Sequence, residues 1–189
     1  MGRTSDAKER LIQSGMALIH AGGYAQAGVQ DICLRAGVRK GSFYHFFASK
    51  SALALAVVER FRQFSDQFLD QALANDLPAV ERLIRLFHMA AVLQEEFQRE
   101  SGFVKGCPFG NLALEMSGHD EPLRHALVEI FTALRQRVAT VLDEAGSSQA
   151  TLQAEAVVNL FEGAILLAKT HNDPQIIRRM GVIVPELAR

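Results

Sequence analysis

The stretch Val29-Gln30-Asp31-Ile32-Cys33-Leu34-Arg35-Ala36-Gly37-Val38-Arg39-Lys40-Gly41-Ser42-Phe43-Tyr44-His45-Phe46-Phe47 decides how this chain is read. Val29, Ile32 and Cys33 fall on one face of a short helix over Gly28–Ala36. Gly37 breaks it, because glycine takes the positive φ that ends a helix. A second short helix follows over Arg39–Phe47. Ile32, Ala36 and Val38 are placed to pack the two helices together. Arg39, Lys40, Ser42, Tyr44 and His45 are left outside. A helix, a glycine turn and a second helix with basic and polar residues at its start suit a DNA major groove. Arginine and lysine donate to guanine O6 and N7, and hydroxyl and phenol groups reach phosphates. Spacing alone also fits an ordinary helical hairpin.

Upstream, Lys8–Ala21 carries Leu11, Ile12, Gly15, Leu18 and Ile19 at spacings of three and four. Thr4 or Ser5 is the expected cap, with Asp6 and Glu9 in the first turns and Gly22-Gly23 as the stop. The first 50 residues hold seven bases and three acids, and the remaining 139 hold 13 bases and 18 acids. A formal charge of −1 therefore hides a basic head on an acidic body, a pattern that suits contact with a polyanion.

Downstream, the apolar spacing stays helical. Helices are expected over Lys50–Leu73, Leu77–Arg99, Pro108–Ser117, Glu121–Ala145, Ala150–His171 and Pro174–Val182. With the three of the head, that makes about nine, and the fold class is all-α. Residues 1–49 form the expected DNA-binding domain and 50–189 the expected effector-binding and dimerisation domain.

Composition narrows the alternatives. At 49% hydrophobic and 22% charged, the 189 residues have ordinary globular content. Two cysteines exclude a disulfide scaffold. No basic stretch precedes an apolar one at the N-terminus, and the uncharged run Gln13–Gln30 holds four glycines and three glutamines. The expectation is a soluble cytoplasmic protein without a membrane span. The histidines lack ligand spacing, and there is no Gly-rich phosphate loop or Gly-x-Ser-x-Gly elbow, so neither a metal nor another cofactor is expected.

Ile32, Ala36, Gly37, Val38, Gly41, Tyr44, Phe46, Phe47 and Lys50 form a pattern that strongly resembles the TetR family of bacterial transcriptional regulators. The match is dense over residues 4–60, and beyond it the helix layout is similar. The resemblance implies a homodimer whose two heads bind a palindromic double-stranded operator. It also implies a small effector that acts on the body and lowers operator affinity. Carried over by position, Arg39, Lys40, Ser42, Tyr44, His45 and Lys50 would meet bases or phosphates. Gly28 stands where members of the family usually carry threonine or serine, so only its backbone N–H remains for such a contact.

Two features of the body invite function. Cys107, Asn111 and Glu115 recur every four residues, and Cys107 stands at the N-cap of the helix opened by Pro108. Helix N–H groups would favour its thiolate, so this face suits thiol sensing; the alternative is packing or passive lining of a pocket. The segment is also similar to a Gly-Cys motif of one TetR subgroup, some of whose members sense reactive species. Phe64, Phe68 and His88 are candidate walls of an effector cavity, although such residues also build plain core. Cys33 reads as core. The apolar Ala150–His171 helix suits a dimer face, with Ala156, Leu160, Gly163, Ala164 and Leu167, joined by Leu127 and Leu134 of the preceding long helix. A small all-α enzyme using Cys107 as nucleophile, or an interaction module on the same face, is the rival reading.

Overall fold

The computed structural model describes residues 2–188, with side chains from Asp6 to Ala188. Ten helices run through them, and there are no strands among the described residues. They are α1 Gly2–Gly22, α2 Val29–Ala36, α3 Lys40–Phe46, α4 Lys50–Ala72, α5 Ala79–Ser101, α6 Pro108–Met116, α7 Glu121–Glu144, α8 Ala150–His171, α9 Gln175–Gly181 and α10 Val184–Leu187. The all-α expectation holds. Two details differ. α1 starts at Gly2, so Thr4 and Ser5 lie inside it rather than capping it, and their side chains are outside the described residues. α10 lies beyond the last expected helix; Pro185 sits in its first turn, where its missing N–H costs nothing.

The chain packs as two units. One comprises residues 1–64 and 108–128, and the other 65–107 and 129–189. In the first, Leu11, Ile32, Phe43, Leu53, Leu112 and Leu123 are fully buried. Arg60 of α4 grips Glu9 of α1 through two bonds of 2.5 and 2.7 Å. Phe61 meets Phe109 edge-on at 6.3 Å.

In the second unit, Leu83, Phe87, Val138, Val157, Ala168 and Ile177 lie in one core built from α5, α7, α8, α9 and the end of α4. Phe87 packs edge-to-face on Phe161 at 5.1 Å. α9 comes close to α5 because residue 181 is glycine: a Cβ there would stand 2.9 Å from Phe87 Cβ. Gly181→Ala is expected to lose about 1–2 kcal/mol through overpacking, read as a lower urea midpoint. An unchanged midpoint would show that α9 is free to shift.

α8 is long and apolar enough to cross a membrane by length and composition. Its Ala154, Val157, Phe161, Ala164, Ile165 and Ala168 pack into the core of this unit. The other side shows Leu152, Asn159, Leu166 and Leu167 exposed, with Ala156 and Gly163 between them. Three expected interface residues belong elsewhere. Leu127 and Leu134 are buried by their own chain, as is Ala164 at 1% exposure, so none can face a partner.

Candidate functional site

The helix-turn-helix forms from local rules. Asp31 folds back to the N-terminus of α2: a Cβ on Gly28 would lie 2.7 Å from its Oδ2. A carboxylate thus stands in the first turn of α2, beside the N-cap glycine, where the helix N-terminus favours negative charge. Gly37 takes φ +62°, and the Val38 N–H donates to Cys33 O at 3.0 Å, which closes α2. Arg39 is extended and stands at the N-cap of α3. Phe43 points inward, with its ring 5.8 Å from that of Phe47. Arg10 of α1 donates its Nε–H to Ala36 O at 2.9 Å, tying α1 to the end of α2.

One face of α3 is consequently free. Arg39, Lys40, Gly41, Ser42, Tyr44 and His45 are all exposed, Tyr44 by 53%. An open groove beside them is lined by Arg10, Gly37, Arg39, Ser42, His45 and Phe46. Leu34 of α2 is exposed by 80%, an apolar group on the same motif that the sequence did not single out. Cations, hydroxyls and a phenol on a short convex helix suit a polyanion surface rather than an enclosed ligand.

Residues 11–57 match the model of the bacterial regulatory proteins of the tetR family. Residues 83–182 match that of the LmrA/YxaF-like transcriptional regulator C-terminal domain. The chain belongs to the TetR family. It is 35% identical over 175 residues to the transcriptional regulator AcuR of Cereibacter sphaeroides, covering 89% of this chain and 78% of that one. The crystal structure of regulatory protein TetR from Rhodobacter sphaeroides superposes with a TM-score of 0.84 at 32% identity, covering 96% and 98% of the two chains. The reduced form of Escherichia coli NemR also gives 0.84, at 25% identity and 96% coverage of each chain. NemR is named a transcriptional repressor, and 122 residues of it are 29% identical, spanning 65% of this chain and 60% of NemR. Like its family, the chain is a DNA-binding transcriptional regulator; the family's members are regulators rather than enzymes.

The body residues separate. Cys107 lies in the second unit, whereas Asn111 and Glu115 belong to the first. Asn111 is half-buried on α6. Glu115 receives the N–H groups of Tyr24 and Ala25, so its carboxylate is committed to backbone. Cys107 is half-buried and hydrogen-bonds Glu162 of α8. Burial pushes the Glu162 carboxyl up to about 7, against the opposing effect of that thiol bond. Gln94, itself buried, holds the loop before Cys107: its Oε1 accepts the Gly106 N–H at 3.0 Å and its Nε2 donates to Gly106 O at 3.3 Å. The sequence reading missed Glu162 as a site residue. Its signal was a single acid inside the apolar run Val157–Ala168.

His88 does not sit among apolar neighbours. It is exposed, with its ring nitrogens 3.4 and 3.5 Å from Arg178 Nη1, and Arg178 also pairs with Glu95 at 2.8 Å. Phe64 is exposed by 64%, while Phe68 packs half-buried on the core of the second unit. Cys33 is buried at 4% exposure, and burial raises its thiol pKa. Lys50 begins α4, where Ser49 Oγ accepts the Ala52 N–H at 3.0 Å. Its ammonium lies 4.2 Å from the centre of the Tyr24 ring and 3.4 Å from Ala25 O.

Proposed function

We propose that the chain is a cytoplasmic homodimeric repressor whose two α3 helices read a palindromic operator, and that an event in the body releases it. The exposed cationic and polar face of α3, held outward by the buried Phe43, carries this reading. Arg39, Lys40, Ser42, Tyr44 and His45 supply base and phosphate contacts, with Lys50 and the Gly28 backbone at the flanks. Residues 1–49 act as the DNA-binding domain and 50–189 as the regulatory one. The dimer forms on the exposed stripe of α8, through Leu152, Ala156, Gly163 and Leu167 beside the half-buried Leu160. Small residues at 156 and 163 let two such helices approach closely. The paired heads then sit one DNA turn apart, about 34–36 Å.

Release acts by changing the populations of DNA-competent and incompetent dimers, so effector and operator weaken each other reciprocally. The effector is a small molecule or reactive species, and its point of action is Cys107, the half-buried thiol held against Glu162. NemR, whose structure is described as a reduced form, lends support from a relative.

The test is selection from random DNA by the purified chain at about 150 mM salt, where nonspecific phosphate binding is suppressed. A two-fold-symmetric sequence should emerge. Folded protein that enriches nothing would overturn the DNA-reading proposal. Treating the bound complex with a small alkylating agent should then weaken operator binding at least tenfold in the parent and leave Cys107→Ser unaffected. Equal loss in both would remove Cys107 from the mechanism. Cys33 is buried, which keeps it from confusing the result.

A further inference from the structure

α1 ends at Gly22, and Gly23 takes φ +86°. Beyond it, the Tyr24 and Ala25 N–H groups have no helix to donate to. Glu115 supplies both acceptors: its Oε1 lies 3.1 Å from Tyr24 N and its Oε2 3.0 Å from Ala25 N. One carboxylate with an amide on each oxygen is a charge-assisted, two-point grip. Gly23 is built to admit it, because a Cβ at that position would collide with the carboxylate.

Lys50 closes the cluster. Its ammonium reaches Ala25 O and covers the Tyr24 ring, and the Glu115 charge supports its protonation against the effect of burial. Asp120, just before α7, makes a parallel link. Its Oδ2 receives the Ser51 hydroxyl of α4, while its Oδ1 accepts the Leu123 N–H at 3.0 Å. Segment 108–128 thus belongs to the compact unit of the DNA-reading helices. It is bound there by two carboxylates, one at the entry to α2 and one at the start of α4.

We infer that Glu115 is a positioning residue for DNA binding: from α6 it latches the α1–α2 turn and so sets the stance of the helix-turn-helix. The latch rests on the proposed reading that α3 faces the operator. Glu115 itself touches no DNA in this arrangement. Its removal should therefore lower specific affinity without changing how many phosphates are neutralised.

The experiment compares the parent chain with Glu115→Ala and Glu115→Gln by backbone amide exchange and by titration of the selected operator across salt. Glu115→Ala should expose the Tyr24 and Ala25 amides, with exchange at least tenfold faster. Operator affinity should fall about tenfold, with the salt slope unchanged. Glu115→Gln keeps one acceptor oxygen, so it should protect one amide and bind with intermediate affinity, and it carries the comparison if the alanine variant does not fold. Normal affinity with both amides exposed would overturn the latch. So would lost affinity with both amides still protected. If the parent chain binds no operator, the proposed function fails, while the exchange data still show whether Glu115 holds the turn.

Discussion

Replacing Arg39 and Lys40 together by alanine is expected to weaken operator binding about a thousandfold while leaving the fold intact. Each side chain that reads a base edge or neutralises a phosphate is worth about 1–3 kcal/mol. A homodimer presents each of them twice, so four contacts vanish. At about 1 kcal/mol each, the lower end of that range, the loss is about 4 kcal/mol, or three decades of affinity. The salt dependence should shallow by about one unit for every phosphate contact removed. Stability should barely move, because both side chains are exposed and surface changes of this kind stay within about 0.5 kcal/mol. Phe43, one helix turn inward, makes no such control, because its ring is fully buried and its loss would unfold the motif. Band-shift titration on the selected operator decides the matter. Parent-like affinity in the double variant would mean that α3 is not the reading helix.

Glu162→Gln is expected to stabilise the chain at pH 8 and to leave it nearly unchanged at pH 4. The folded carboxyl titrates near 7, against an ordinary value of 4.5, because burial disfavours its charge. Below the unfolded value, both states hold the proton and burial carries no charge penalty. As the pH rises, the unfolded chain ionises first, and the folded state loses stability until its own value near 7 is passed. That interval corresponds to at most about 3 kcal/mol, an upper bound because the side chain is mostly but not fully buried. Glutamine has no proton to lose, so the variant escapes the decline. Urea midpoints between pH 4 and 8, at fixed protomer concentration, measure it. Parallel pH profiles would show that burial does not raise the Glu162 carboxyl.

Much of the fold was legible in the sequence because its signals are local. Leu11, Ile12 and Ile19 repeat at helical spacing, and Gly37 interrupts with the one backbone geometry that the turn needs. The free face of α3 was legible for the same reason: on a helix so short, one inward aromatic fixes which side chains point out. The exposed stripe of α8 followed in part from its small residues.

In the body, a shared helical period did not mean shared surroundings. Cys107, Asn111 and Glu115 stand on one register, yet the chain passes from one packed unit to the other between residues 107 and 108. Their partners come from residues far along the chain: Glu162 for the thiol, and Tyr24 and Ala25 for the carboxylate. His88 and Phe64, candidates for a cavity wall or for plain core, lie on exposed helix faces. Leu127 and Leu134 were assigned to a partner, but their own chain buries them.

By itself, the sequence determined an all-helical chain, a helix-turn-helix near its N-terminus, and the cations and hydroxyls on that motif's free face. Those follow from periodicity, glycine geometry and charge, which act over a few residues. The tertiary structure decided which polar groups in the body are spent and which remain. Glu115 is consumed by two backbone amides, and Glu162 keeps its proton near neutral pH because packing removes water from it. Both outcomes depend on desolvation and on contacts between residues 55 or more positions apart, and no local pattern encodes those.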